Sequence, residues 1–460
     1  MHRSLPPIQE SLRAMATQFA AAATPGRRLV TIDLPGTIVD HLAAGGLPSL
    51  RSRATVTWEK PSGRSALIGL GTAARLDGER ASSLSDSIAP IVALSSAATV
   101  QVSQPSARPR FFGGGRFDPA GEVEDRAWDS FGGWQFVVPC FLLATEDGSL
   151  LGSCTLGIDD SDTAPEIEAR LTGALERALR PEPLAAGTPR ARTAPGPQEW
   201  EAQVTAAIAE IASGEYQKVV LARRIGITPS HVDAGEALTN LALRYGNCYV
   251  FKFHTEDADW LGATPELLVA LESDAVRAAS LAGSRPRNPE RGADRQQTEA
   301  LLADSKERAE HEYVVAALRE ALTPMCADLS APAGPEIMTL ANIHHLYTPF
   351  AGHVASGTRV MDLVAAIHPT PAVGGWPRAE AMAAINRLEQ MDRGWYSGPI
   401  GWIDFDGDGE FAVALRAGLV SSTEAVLFAG AGIVAGSVPA DELAETETKL
   451  RPLRDALGDR

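Results

Sequence analysis

The chain has 460 residues, which allows two or three ordinary domains or one large one. Hydrophobic residues at 45% and charged residues at 22% exclude wholesale disorder. The 41 Lys and Arg against 58 Asp and Glu leave a formal charge of -17, which excludes general affinity for nucleic acid or anionic membranes; an anionic substrate must then meet local positive groups or a metal. No apolar run reaches the ~20 residues that span a bilayer. The opening MHRSLPPIQESLRAMATQFAAAATPGRR has no apolar signal core. Cys140, Cys154, Cys248 and Cys326 are too scattered for a zinc site or a disulfide framework, so a cytoplasmic protein is expected.

In chain order, ATVTWEK, WQFVVPCFLLAT and LLGSCTLGI read as strands of a first part. Between the first two lies FFGGGRFDP. It lacks the GxxxxGK[ST] order of a phosphate loop and is expected to be a turn. Residues 181–198, PEPLAAGTPRARTAPGPQ, carry five prolines and two glycines in 18 positions, the chemistry of a linker or exposed loop. They divide residues 1–180 from residues 199–460. No internal repeat is visible.

The second part is strongly periodic. EWEAQVTAAIAEIASG (199–214) predicts a helix ending at Gly214, and KVVLARRIGI (218–227) and CYVFKFH (248–254) predict strands. The segment 298–322, free of Gly and Pro, predicts one long amphipathic helix. EFAVALRAGLV and EAVLFAGAGIV predict two strands joined by an SSTE turn, and a last helix runs from about Asp441 through ETETKLRPL. Apolar strands mixed with helices point to a large α/β or α+β unit.

Several charged residues sit where they invite chemistry. Lys218 opens an apolar strand; such a lysine commonly marks an exposed edge, but a buried one loses solvation and becomes a usable base. Glu266 follows a Thr-Pro turn at the head of an apolar run, as an ordinary turn glutamate also would. Glu307 and Glu310 share a helix face at i and i+3, as do Glu442, Glu445 and Lys449 at i, i+3 and i+7. Each face is either solvated or, if the two meet across a cleft, half of an all-oxygen site for a hard cation such as Mg2+. Arg416, read as lying inside an apolar strand, needs a carboxylate partner from the protein or from a substrate. Tyr396 and the glycine-rich AGAG turn at 429–432 lie near it in the pattern, and glycine lets backbone N–H groups approach an anion. His344 and His345, adjacent on a strand, point to opposite faces, so at most one faces a given cleft.

Taken in order, YQKVVLARR, GATPELL, LAGSRPR, KERAEHEYVV, IHHLYTPFAGHV, HPTPAVGG, YSGPIGW, AVALRAGLV, AGAGIV and ELAETETKLRPL resemble the chorismate-utilising enzymes, a family that includes anthranilate synthase component I, aminodeoxychorismate synthase, isochorismate synthase and salicylate synthase. The resemblance is strong over 199–460 and looser before it, where FFGGGRFDP is similar to a stretch of isochorismate synthases. It implies a large two-sheet, sandwich-like core with helices outside, built from both halves of the chain. It further implies Glu310 and Glu445 as direct Mg2+ ligands with Glu307 and Glu442 on metal-bound waters. Arg416, Tyr396 and the backbone near Gly430 would hold a substrate carboxylate, with Lys449 near the metal and the ring carboxylate. Ser284 and His345 would line the ring pocket, and Glu266 would be the general acid. Lys218 stands where the members that add water have lysine and those that use ammonia tend to have glutamine. Water is the poorer nucleophile and needs a base. The resemblance is therefore closest to isochorismate synthase, acting on chorismate with Mg2+ and no glutaminase subunit. Salicylate synthase shares these residues. Anthranilate or aminodeoxychorismate synthases fit Lys218 less well, and a non-catalytic chorismate-binding protein would not need the intact acidic set.

Overall fold

The computed structural model describes residues 6–22, 26, 28–63, 65–121, 123–146, 148–181, 194–228 and 233–459. Residues 182–193 of the Pro/Gly-rich segment lie outside the described residues. At its end Ala194 bridges to Arg224, and a helix begins at Pro197.

Among the described residues, twenty strands join one hydrogen-bonded network, antiparallel except where Arg28–Asp33 runs parallel to Thr99–Gln101. The long Trp134–Glu146 strand is its fork: one edge pairs with Ser65–Gly78, and the other with Ser149–Ile158 and then with Arg110–Gly115. From the first edge, one arm passes through Val56–Glu59, Tyr249–His254, Asp259–Thr264, Ala417–Val420 and Ala425–Ile433 to Lys218–Ile227. From Arg110–Gly115, a second arm passes through Pro399–Asp404, Gly409–Val413, Leu267–Glu272 and Ala275–Pro286 to Ile343–Val354. Strands from before and after residues 182–193 thus lie side by side in both arms. The two arms share a core, in which Val219, Leu221, Ala431 and Ile433 of the first meet Leu268, Val269, Phe411 and Val413 of the second. A second cluster is rich in aromatics, among them Trp58, Trp128, Trp260, Trp395 and Phe428. The Ser305–Leu322 helix packs on Ala275–Pro286, and the Pro439–Ala456 helix packs on Ala425–Ile433. Among the described residues no helix is long and apolar enough to cross a membrane.

Most predicted elements stand, and three are corrected. The segment 298–322 is two helices, Arg291–Ala303 and Ser305–Leu322, because the Asp304 carboxylate accepts from the amides of Lys306 and Glu307 and starts a new helix. FFGGGRFDP contributes a strand, Arg110–Gly115, in place of a turn. Its glycines permit close approach of the neighbouring strands: a side chain on Gly113 would run into the Gln135 carbonyl, and one on Gly114 into that of Pro399. EFAVALRAGLV is two strands, Gly409–Val413 and Ala417–Val420, which belong to different arms. Arg416 therefore lies at the crossing between the arms, with a left-handed φ of 48°, and not inside a strand. A φ of this kind is strained for a non-glycine residue, and strain of this kind concentrates at functional sites.

Candidate active site

One cleft of about 670 Å3, including its open mouth, gathers most of the residues singled out above. Glu266, Ser284, Glu310, His345, Tyr396, Arg416, Gly430, Glu445 and Lys449 all line it. Lys218, Glu307 and Glu442 stand immediately behind, each tied to a lining residue or to its neighbour. The cleft lies where the two arms and the two acidic helices converge.

Lys218 is not an exposed edge residue: it is 0% exposed. Its Nζ lies 2.9 Å from Glu310 Oε1 as a close ion pair, and it has no other acceptor among the described residues. A buried amine with so few acceptors is costly unless something else in the site accepts from it. Glu310 reaches this position across Gly432, where an added side chain would sit 2.2 Å from Oε1. Burial pushes the Glu310 carboxyl upward, but Lys218 and then Lys449 and Lys306 outweigh it and hold Glu310 below its ordinary value.

Glu266 occupies the gap between Asp259–Thr264 and Leu267–Glu272. Its amide donates to Thr264 Oγ1, and its carbonyl accepts from Val413 N. The side chain is buried and forms no ion pair within 4 Å among the described residues. Burial pushes its carboxyl up to about 7, against the pull of Lys218, Arg416 and Lys449. A carboxyl in this state holds a proton near neutrality and can donate it.

The two acidic helices meet. Glu307 is pushed up to about 7, first by burial and then by Glu310, with Glu445 on the other helix adding to the repulsion. Glu442, 2% exposed, is raised by burial and by Glu445. Three lysines hold these carboxylates: Lys218 on Glu310, Lys449 on Glu445 at 2.6 Å, and Lys306 on Glu442 at 3.0 Å. With the lysines in place, no three Asp, Glu, His or Cys groups among the described residues form a ready metal cage. The donor set is nevertheless all oxygen, and the repulsion between the helices is what a hard divalent cation relieves, so the residues fit magnesium.

The opposite end of the cleft is basic. Arg416 forms no ion pair among the described residues; its Nη2 donates to His345 Nε2 at 3.3 Å. His345 is buried and held far below its usual range, first by burial and then by Arg416. Accepting at Nε2 assigns the ring proton to Nδ1, which donates to Ser284 Oγ at 2.9 Å. The Ser284 amide donates to Glu307 Oε2 at 2.7 Å, so this chain of contacts runs from the acidic end to the basic end. His344 faces the other way, onto Asp294 and Thr339, as its place next to His345 requires. Tyr396 stacks on Phe428, ring centres 5.2 Å apart, and Lys449 Nζ donates to the Gly430 carbonyl at 2.9 Å.

A chorismate-binding enzyme family model matches residues 16–458. The chain belongs to the chorismate-binding enzyme family. It is 36% identical over 354 residues to the salicylate biosynthesis isochorismate synthase of Pseudomonas aeruginosa, covering 76% of this chain and 74% of that one. It is 35% identical over 355 residues to isochorismate synthase MenF of Bacillus subtilis, covering 76% and 75%. The structure of MenF, the menaquinone-specific isochorismate synthase from Escherichia coli, superposes with a TM-score of 0.77 at 26% identity, covering 98% of this chain and 99% of that one.

Residue patterns alone missed three features of the cleft and its surroundings. Lys306 bridges Glu442 and, at 3.8 Å, Glu307. Phe428 backs Tyr396, and the buried Glu389–Arg393 pair lies behind the wall. As a Phe in a strand and as charges at a helix end, these carried no signal distinct from packing or solvation.

Proposed function

We propose that the protein is an isochorismate synthase, converting chorismate to isochorismate with magnesium. The observation that carries this reading is the pair of opposed groups in one cleft. Lys218 is a fully buried amine whose one close partner among the described residues is Glu310, and Glu266 is a carboxyl held protonated near neutrality. Lys218, in its neutral form, takes a proton from water as the oxygen attacks C2. Both ring double bonds shift, C1=C2 to C1=C6 and C5=C6 to C4=C5, as the C4–O bond breaks and Glu266 delivers its proton to the C4 hydroxyl, which departs as water. One water enters and one leaves, so atoms balance and the reaction runs in both directions. Arg416 and Tyr396 bind and orient a substrate carboxylate; among the described residues Arg416 has no anion to satisfy it, which leaves its fork for the substrate. Lys449 faces the ring carboxylate, and Ser284 and His345 bound the ring. Glu310 and Glu445, backed by Glu307 and Glu442, would hold magnesium, which when bound supplies positive charge at the ring carboxylate. Lysine at 218 serves attack by water, so no glutaminase partner is needed.

The test is incubation of the purified protein with chorismate and magnesium, with products resolved by chromatography. Isochorismate as the accumulating product supports the reading. Salicylate with stoichiometric pyruvate moves it to salicylate synthase, and anthranilate formed only with ammonium overturns the role of Lys218. Absence of turnover overturns the reading as a whole.

A further inference from the structure

The strand that carries Lys218 has an incomplete outer edge. Its inner edge pairs with Ala425–Ile433 along the whole length. On the outer edge, Gly375–Trp376 pairs only with Val219 and Lys218, and the Val220 amide donates to the Gly374 carbonyl. Further along, Arg224 exchanges both backbone bonds with Ala194. Between these points no strand among the described residues reaches the Val220 carbonyl or the Ala222 amide.

Two side chains fill that gap. The Ala222 amide donates to Glu389 Oε1 at 2.7 Å, and Arg393 Nη2 donates to the Val220 carbonyl at 2.7 Å. Glu389 and Arg393 bind each other through Nε and Nη2, and both side chains are buried. Arg393 Nη1 donates to the Val373 carbonyl at 2.9 Å, and its guanidinium lies over the Phe117 ring at 4.2 Å. The Arg393 carbonyl accepts from the Tyr396 amide at 2.9 Å. Val220, Val373 and Tyr396 all line the cleft.

We infer that Glu389 and Arg393 are positioning residues: the pair stands in for the missing strand partner and clamps three walls of the cleft, and so sets where Lys218 meets the water that attacks the substrate. Val220 is two residues from Lys218 on the same face of the strand, so the grip on its carbonyl fixes the direction of the base. A guanidinium holds two carbonyls and a carboxylate at once because its donors form a rigid planar fork; an ammonium has no such fork. A buried ion pair is weak evidence for a purely stabilising role, since well-packed apolar residues often serve stability as well. What an apolar pair cannot do is donate to Val220 and Val373 while accepting from Ala222.

The inference rests on the reading of the protein as an isochorismate synthase only for its rate readout. The experiment compares wild type with Arg393→Lys, Glu389→Ala and Glu389→Gln, measuring kcat and KM for chorismate and deuterium uptake in peptides spanning 217–223 and 371–376. Wild-type turnover tests the assigned reaction by itself, and the exchange data test the clamp whether or not that reaction is right. Arg393→Lys and Glu389→Ala are expected to speed exchange in both segments. They should also lower kcat at least ~10-fold, since a displacement of about 1 Å at a reacting group can cost ~10²-fold. Glu389→Gln keeps an acceptor for the Ala222 amide and is expected to stay within ~3-fold of wild type. Faster exchange with unchanged kcat overturns the positioning role, and unchanged exchange in a folded variant overturns the clamp itself. Should Arg393→Lys fail to fold, the contrast between Glu389→Ala and Glu389→Gln decides; if Glu389→Ala also fails, the inference falls when Glu389→Gln matches Glu389→Ala in failing to fold.

Discussion

Glu266 and Glu310 both line one cleft, the first buried and the second half-buried, yet they are driven in opposite directions. On the wall formed by the two arms, Glu266 has cations near it but none in contact, and burial wins: its carboxyl rises to about 7. On the wall formed by the Ser305–Leu322 helix, Glu310 has Lys218 at 2.9 Å, and the cation wins: its carboxyl falls. Both carboxylates are desolvated, and they differ in the distance to a positive charge. This difference separates an acid from an anion that can hold a cation, without any difference in residue type. Lys218, a fully buried amine, stands behind the cleft against Glu310.

The largest expected effect comes from removing that amine. Lys218→Gln should lower isochorismate formation by ~10²–10⁴ at matched chorismate and magnesium, the usual contribution of a positioned general base. Rates near wild type would mean that the base lies elsewhere. Glu266→Gln should cost a similar factor, because the amide cannot deliver a proton. With Glu266 intact, kcat/KM in the direction of isochorismate should decline as pH rises through about 7, as the acid loses its proton. A flat profile across that region would remove Glu266 from the acid role.

On the other wall, Glu310→Gln or Glu445→Gln should abolish most activity while leaving the circular dichroism spectrum unchanged. Magnesium binding followed by calorimetry should weaken in both variants, and full turnover in excess EDTA would sink the assignment. Arg416→Lys tests the basic end. It keeps the charge and loses the fork, so KM for chorismate should rise by the equivalent of about 1–3 kcal/mol for a charged hydrogen bond. An unchanged KM would make Arg416 a structural residue of the crossing between arms.

A further effect concerns stability and tests the comparison directly. The folded value of about 7 for Glu266 lies above its ordinary 4.5. Between those values the folded state binds the proton more tightly than the unfolded state, so this group's contribution to stability falls as pH rises through that window. At pH 8 without magnesium, Glu266→Gln should therefore be more stable than wild type, by up to about 3 kcal/mol, since each tenfold change in proton affinity is worth about 1.4 kcal/mol. The gain should shrink as pH is lowered and vanish near pH 4. Thermal melts at the two pH values check it; equal melting temperatures at pH 8 would show that water or a cation relieves the buried carboxylate.

Much of this was readable in the residues themselves. Periodicity placed the helix ending at Gly214, the Lys218–Ile227 strand and the turn before Ala425, because these depend on spacing and on one glycine or turn signal within a few residues. Order and wording of the motifs indicated the family and suggested twelve site residues, nine of which line the cleft. One feature was local but invisible to periodicity, and the others depended on groups far apart in the chain. Asp304 broke a helix that the pattern ran straight through, because capping depends on which amides a short side chain captures. The glycines at 113 and 114 form a strand because two other strands close on them. Arg416 sits at a crossing because Gly409–Val413 and Ala417–Val420 find partners in different arms. Burial of Lys218, the meeting of the two acidic helices, and the opposite fates of Glu266 and Glu310 were likewise decided only in the tertiary structure. Desolvation and Coulomb energy depend on what surrounds a charge in space, and along the chain Lys218 and Glu310 are separated by the strands and helices whose packing brings them together.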